Sequence, residues 1–398
     1  METTPTDPNM MLSSFPCSSL PPREFASGNH GGQGRRTLRS PSPWNLLASC
    51  ILASVAVLPS GAAWSDEGEK TNSSKIIPTS ESAAVQPASV QPASVDSAAE
   101  VGAVAVAATD QGTPVEVQQF LDLRYSDADG SAGLFDLHLP ISDQHRVSTN
   151  DAGEVFVEGA PRPAILMIHG GGWAIGDKWT LRAYCDRLAQ LGFVVLNMNY
   201  RLAPQHQFPR QVDDVRQALL QLVEHSDAWK IDLNRVGMFG YSAGGHLSAL
   251  IGVLSNEDRP TQMLASEWGS DDPRWEQLPP IAAVCAGGPP CDFRIVPDDN
   301  AGLSYFLGGT PREVPNNYLG ASPTAHVSPG DPPMQLIHGE KDLLVPLENS
   351  EKFAAALMDA GVAVSLTVIE NQGHMMTLFH PTTKQQIKDF FVKQLLQP

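Results

Sequence analysis

The chain has 398 residues, enough for one large α/β domain with additions, or for two domains. Hydrophobic residues make up 42%, so a sizeable core can form, and charged residues at 18% fall below the ~25% usual for globular proteins. With 44 Asp+Glu against 26 Lys+Arg the net charge is −18, a surface that repels phosphate backbones and anionic head groups and excludes nucleic acid as a natural partner.

In chain order, residues 1–43 are rich in Pro, Ser, Gly and Arg and carry no apolar period. Arg35, Arg36 and Arg39 then precede the apolar run Trp44–Pro59, which exits through the small residues Ser60–Ala63. A basic region, an apolar run and a small-residue exit predict a secretory signal peptide with a long n-region over residues 1–64. The run is short against the about 20 residues of a spanning helix, so an uncleaved anchor is the lesser reading. The expected location is exported, periplasmic or extracellular, with envelope association left open. Residues 65–114 are dominated by Ala, Ser, Val, Pro and Gln, and Val85–Ser89 repeats at once as Val90–Ser94. Such a tract has little large apolar surface to set against its ordering entropy, and a disordered spacer is expected.

From residue 115 the pattern changes and a catalytic domain is expected to run to 398. Phe120–Tyr125 and Phe135–Ile141 alternate apolar and polar residues as half-buried antiparallel strands do, with turn chemistry at Asp127–Gly130. Continuous apolar runs follow at Ala164–Ile168, Val194–Met198, Val236–Phe239, Ile281–Ala286, Met334–Ile337 and Val362–Ile369, the signature of strands buried on both faces. Helix-like segments separate them at Trp179–Leu191, Pro209–His225, Ala243–Leu254 and Leu347–Ala360, with a last helix near Pro381–Leu396. Alternating strand and helix predict an α/β fold with a mostly parallel central sheet covered on both faces. Ser255–Pro280 and Gly287–Pro332 interrupt the alternation on the side where open α/β sheets bind ligands, and are the candidates for a small cap.

Gly240-Tyr241-Ser242-Ala243-Gly244 matches G-x-S-x-G between a strand and a helix. A sharp strand-to-helix turn projects the serine hydroxyl above the sheet, with the helix N-terminus under any developing negative charge. The bland alternative is a Gly-rich turn needed only for tight packing. Ser242 is the candidate nucleophile. His169-Gly170-Gly171-Gly172-Trp173 follows the strand Ala164–Ile168, and consecutive glycines leave backbone N–H groups free to face an oxyanion, with the N–H of Ala243 as a further donor. No GK[ST] follows, so this is not a P-loop. The side chain of His169 is read as a brace for the loop.

A serine hydroxyl needs a base, and eleven histidines compete. His374, in a turn after the last strand, fits the chain order Ser…Asp/Glu…His, with His380 as rival. His246 points away from the pocket, and His338 ends a strand and packs. The base needs an orienting carboxylate. Glu340 and Asp342 both lie in the loop after Met334–Ile337, and Asp342 is favoured because Leu343–Pro346 would bury it. Of five cysteines, Cys17 and Cys50 fall in the segment expected to be removed, and no spacing suggests a metal knuckle or a redox pair. Cys285 and Cys291 could pair in an oxidising compartment, but the simpler reading is a buried strand thiol beside a free loop thiol; Cys185 is the remaining one.

These motifs together resemble the α/β-hydrolase esterases and lipases of the hormone-sensitive-lipase type, and more closely the bacterial carboxylesterase branch with feruloyl-esterase-like domains. The resemblance runs from about residue 118 to the end. It rests on His169–Trp173, Gly176–Lys178, Asn199–Pro204, Gly240–His246, Phe306–Thr310, Ala321–Pro323, Asp331–Pro333, His338–Pro346 and Gly373-His374. It implies the α/β-hydrolase fold, a Ser242–Asp342–His374 triad, and oxyanion donors at Gly171, Gly172 and Ala243. Met375-Met376 departs from the Gly and aromatic residue that many relatives carry after the histidine, which weakens any transfer of substrate preference. The expected function is hydrolysis of carboxylic esters, short acyl or polysaccharide-linked, through an acyl-enzyme, with no metal or cofactor required. Amide or peptide hydrolysis on the same triad is the alternative, and a non-catalytic binding protein a more distant one.

Overall fold

The apolar runs of the sequence become strands with both faces covered. The computed structural model describes residues 75–77 and 115–397. The strands are β1 Lys75–Ile77, β2 Glu116–Arg124, β3 Leu134–Ile141, β4 Arg146–Thr149, β5 Val155–Glu158, β6 Arg162–Ile168, β7 Val194–Met198, β8 Ile231–Tyr241, β9 Ala283–Gly287, β10 Met334–Gly339 and β11 Val364–Ile369. Nine of them form one sheet in the order β1-β11-β10-β9-β8-β6-β7-β3-β2, and β4 and β5 pair separately. Neighbours from β11 through β7 run parallel, and the edges are closed by antiparallel pairs of β3 with β7, β2 with β3, and β1 with β11.

The helices that matter for the site are α1 Arg182–Gln190, α2 Arg210–Glu224, α3 Ala243–Leu254, α4 Glu348–Asp359 and α5 Pro381–Phe391. On one face the sheet packs against α2, α3 and α4 through residues such as Val215, Leu250 and Phe353. On the other it packs against α1 and α5 through Cys185, Leu188, Ile387 and Phe391. Helix α3 is buried along its whole length, as its nearly unbroken apolar sequence requires.

Parallel register brings several strand ends to one sheet edge. Ile168 pairs with Gly240, Tyr241 with Gly287, and Gly339 with Ile369. The loops leaving β6, β8, β10 and β11 therefore open side by side. Strand β6 lies between β7, which follows it, and β8, which follows β7, so the strand order reverses there. That is the crevice where open α/β sheets place ligands.

Two expectations need amendment, at the 65–114 tract and at the last helix. The tract at 65–114 is not structureless throughout, because Lys75–Ile77 pairs antiparallel with β11, Ile76 opposite Thr367. The free edge of β11 gives a short segment a backbone ladder that low-complexity composition does not advertise. The rest of that tract and the signal-peptide reading lie outside the described residues. The hairpin of β4 and β5 was not legible, since its strands have only four residues each. The last helix leaves α geometry at Phe391 and ends in a π turn at Val392–Leu396. Cys185, Cys285 and Cys291 are free, buried thiols, Cys285 in strand β9 and Cys291 in a loop, as the simpler reading had them. Burial pushes all three thiols up from their ordinary range.

Candidate active site

Ser242 sits at the turn from β8 into α3 with φ 56° and ψ −118°. That backbone conformation is rare for a residue with a side chain and costs ~1–3 kcal/mol unless its surroundings hold it. Here they do: the Ser242 N–H donates to the Gly287 carbonyl at 2.7 Å, and the His246 N–H donates to the Ser242 carbonyl at 2.8 Å. The flanking glycine is required by space, since a Cβ on Gly244 would lie 2.0 Å from the Ile168 carbonyl oxygen. The motif therefore permits β6 and the start of α3 to approach closely enough to set the serine beside the glycine loop.

That loop is shaped from several sides. Gly171 has φ 121°, and a Cβ there would meet the Ile175 carbonyl oxygen at 2.0 Å, so only glycine fits. His169 is buried, stacks on Tyr200 at 4.3 Å, and sets Nδ1 2.7 Å from the Gly170 carbonyl. Burial lowers its pKa to about 4, so the ring is neutral and donates from Nδ1. Trp173 stacks on Phe306 at 4.1 Å and donates through Nε1 to His246 Nδ1 at 3.2 Å. His246 Nε2 in turn faces the Ala321 carbonyl at 2.7 Å, and its pKa is likewise lowered by burial to about 4. His246 is thus a neutral bracket behind the loop and has no part in proton transfer. The Tyr305 hydroxyl donates to the Gly172 carbonyl at 3.0 Å. Among the described residues the Gly171 and Gly172 N–H groups donate to no backbone partner. With Ala243 at the first position of α3, they are available to an oxyanion.

The outer wall continues through Gly176–Leu181. Lys178 bridges Asp136 at 2.7 Å and Asp122 at 2.8 Å. Burial works against its charge, but the two carboxylates outweigh it and hold the ammonium above its usual range. Its backbone N–H donates to Asn199 Oδ1, and its carbonyl accepts from Asn197.

Asp342 and His374 meet across the edge. His374 opens the short helix His374–Phe379 after β11, and its Nδ1 lies 2.5 Å from Asp342 Oδ2. Asp342 Oδ1 accepts the N–H groups of Leu344 at 3.0 Å and Val345 at 2.8 Å. Burial would raise the pKa of this carboxyl, yet hydrogen bonds from His338 and His374 prevail and hold it well below the usual carboxylate range. His374 Nε2 is buried and has no hydrogen-bond partner among the described residues, which leaves the nitrogen opposite Asp342 for the serine hydroxyl in the same cavity. The rivals fall elsewhere. Glu340 accepts from the Asn371 N–H on the exposed side of the loop, and His380 caps α5 by accepting from the Thr382 N–H.

Ser242, Ala243, Gly170–Gly172 and His374 line a cavity of about 450 Å³ whose remaining walls are largely apolar, among them Ile175, Trp179, Leu181, Leu344, Val345, Met375 and Leu378. The one charged residue there, Asp177, is engaged by the Trp179 N–H and Asn199 Nδ2. The expected cap is not found among the described residues. Of Gly287–Pro332 only Pro290 lines the cavity, and Ser255–Pro280 contributes nothing to it. The first segment buries Phe293 and Phe306 behind the glycine loop, and the second packs Trp268 and Trp275 around Arg216 of α2. Each directs these aromatic residues into the body of the protein. Sequence reasoning missed the contribution of Trp179 to the cavity wall and the contact of His338 with Asp342. Trp179 carried no signal beyond its place next to Gly176–Lys178.

The BD-FAE family model matches residues 156–357, which is half of the chain and includes Ser242 and Asp342. The chain belongs to this α/β-hydrolase family. The chain is similar to Esterase LipC of Mycobacterium tuberculosis, 30% identical over 203 residues, covering 50% of this chain and 48% of that one. Neutral cholesterol ester hydrolase 1 of Mus musculus is 39% identical over 116 residues, 26% of this chain and 28% of its own. The matches thus span half or less of these relatives' length. Among solved structures, a truncated carbohydrate esterase from gut microbiota superposes with TM-score 0.59 at 22% identity, covering 72% of this chain and 99% of that one. Esterase B from Lactobacillus rhamnosis with a tributyrin phosphonate inhibitor gives TM-score 0.56 at 21% identity, covering 72% and 89%. These superpositions establish the α/β-hydrolase fold.

Proposed function

We propose that the chain is a serine carboxylesterase. The observation that carries this is the joint placement of Ser242 on a strained, braced turn and of a buried His374–Asp342 pair at 2.5 Å, on one cavity. Ser242 Oγ attacks the ester carbonyl while His374 Nε2 takes its proton. The carbonyl oxygen becomes an oxyanion facing the N–H groups of Gly171, Gly172 and Ala243. Asp342 holds the imidazole in the Nδ1–H form and stabilises the imidazolium. Collapse breaks the bond to the alcohol, which leaves with the proton from His374, and Ser242 keeps the acyl group. Water then gives a proton to His374 and attacks, the carboxylic acid departs, and the proton returns to Ser242.

The apolar walls and engaged Asp177 favour an uncharged ester whose apolar part fits about 450 Å³. Similarity to a carbohydrate esterase supports acyl groups carried on polysaccharides as the narrower substrate class. The arginines and apolar run before residue 64 support export of the chain. The test is hydrolysis of p-nitrophenyl esters from acetate to decanoate, a matched anilide, and acylated polymers by the full chain. Ester turnover abolished in Ser242→Ala is the expected result, and anilide cleavage at equal rate would replace ester with amide chemistry. Polymer release no faster than the serine variant would remove the narrower class. A full-length product confined to the cytoplasm on fractionation would remove export.

A further inference from the structure

Asp342 touches two imidazoles. Its Oδ2 receives His374 Nδ1 at 2.5 Å and lies 3.3 Å from His338 Nε2, and both Asp342 and His338 are buried. His338 Nε2 is also 2.8 Å from the Val345 carbonyl. A carboxylate and a carbonyl can only accept, so His338 Nε2 must carry a hydrogen. At the other side of the ring, Nδ1 is 2.7 Å from the Ser350 hydroxyl on α4. No other side-chain or carbonyl acceptor is recorded for that hydroxyl among the described residues, so the Ser350 O–H donates and His338 Nδ1 accepts. The ring is therefore neutral, with its hydrogen on Nε2 shared between Val345 and Asp342. Val345 clamps both partners, giving its N–H to Asp342 Oδ1 and its carbonyl to His338.

We propose that His338, locked in the Nε2–H tautomer by Ser350, is a positioning residue for the esterase reaction that acts through Asp342 on the basicity of His374. The proposal rests on Ser242, His374 and Asp342 being the reacting set. The positive end of a neutral N–H beside Oδ2 draws off part of the charge that Asp342 offers to His374. It thus opposes over-stabilisation of the imidazolium and fixes the carboxylate plane at the same time. The ionisable groups recorded against this pair are few. Tyr241, at the end of β8, gives its hydroxyl to the His374 carbonyl. On the loop after β10, Lys341 and Glu340 are turned outward to Asn371. From α4 the facing group is Ser350, which does not titrate in this range.

The experiment is the pH dependence of kcat/KM and kcat for the full chain and its His338→Phe and His338→Gln variants on one p-nitrophenyl ester. Removing the donor leaves the Asp342 charge undivided, so the imidazolium is favoured and the acid limb of the profile moves up. For His338→Phe the expected result is a rise of the limb by about half a pH unit, with kcat lowered about tenfold and KM within about twofold. His338→Gln, which keeps an N–H donor, returns the limb and most of kcat. A folded Phe variant with an unmoved limb would overturn the proposal, whether or not kcat fell, because a structural role alone changes the amount of active enzyme and not its titration. If the Phe variant does not fold, nitrogen-15 NMR of labelled histidine in the wild-type chain decides. A neutral Nε2–H ring at His338 that converts toward other forms in Ser350→Ala supports it, and an Nδ1–H ring in the wild type overturns it. A wild-type chain inactive on every ester would remove the underlying reading of the site, whereas an active wild type with an indifferent His338 removes only this one.

Discussion

The two ends of the cavity are built on opposite principles. At the inner end, Ser242, His374 and Asp342 are held by backbone strain, buried hydrogen bonds and glycines that no other residue could replace. At the outer wall, Trp179 and Met375 line the cavity while 61% and 47% exposed. Chemistry needs atoms placed to within a fraction of an ångström, and only a buried, over-determined network does that. An apolar rim needs only area. Rate should therefore be sensitive to the inner end and selectivity to the outer.

The contrast can be broken most directly at Ser242, the proposed nucleophile. Ser242→Ala is expected to lower kcat/KM by ~10⁴-fold or more with an unchanged circular dichroism spectrum. Asp342→Asn keeps an acceptor for the Leu344 and Val345 N–H groups but loses the charge opposite His374, and a loss of about 10³-fold is expected in kcat. Gly171→Ala should cost about 10²-fold, mainly in kcat, because the new methyl group must displace the loop that carries the two proposed oxyanion donors. Trp179→Ala should change kcat less than about threefold and appear in KM, more for long acyl esters than for acetate. If its effect fell on kcat and was equal for all chain lengths, the division between rate and selectivity would be wrong.

The smallest effect on activity is expected at Asp331, outside the cavity. Burial raises its pKa to about 6, partly offset by hydrogen bonds from Ser328. A carboxyl with a folded pKa above its unfolded value binds its proton more tightly in the folded state. Its charge therefore costs stability above pH 6, and that cost disappears as pH falls below the ordinary carboxylate value. Asp331→Asn should stabilise the chain by ~1–2 kcal/mol at pH 8 and by little at pH 4, with esterase rates unaltered. Equal melting temperatures at pH 8 would show that the hydrogen bonds offset the desolvation.

Much of the inner end was legible because it depends on local geometry. A strand-to-helix turn with glycine on both sides of a serine leaves few alternatives, and the structure places Ser242 there. The order Ser…Asp…His and the apolar flank Leu343–Pro346 pointed to Asp342 over Glu340, and the structure sets Asp342 2.5 Å from His374 while Glu340 accepts from the Asn371 N–H. The expected cap was not legible as what it is. Length and irregularity mark Ser255–Pro280 and Gly287–Pro332 as insertions, but whether their aromatics turn inward or over the cavity depends on partners such as Arg216 and Trp173, which lie far away in the chain.

By itself the sequence determined the alternation of strands and helices, the glycine loops and the residue types able to react, because each is a property of a short segment and its local backbone. Tertiary structure decided which histidines are free to accept a proton. His169, His246 and His338 are committed to neutral hydrogen-bonded roles, and His374 keeps Nε2 open. An imidazole can serve as base, brace or tautomer-locked donor, and which of these it becomes is set by the groups that packing brings to its two nitrogens.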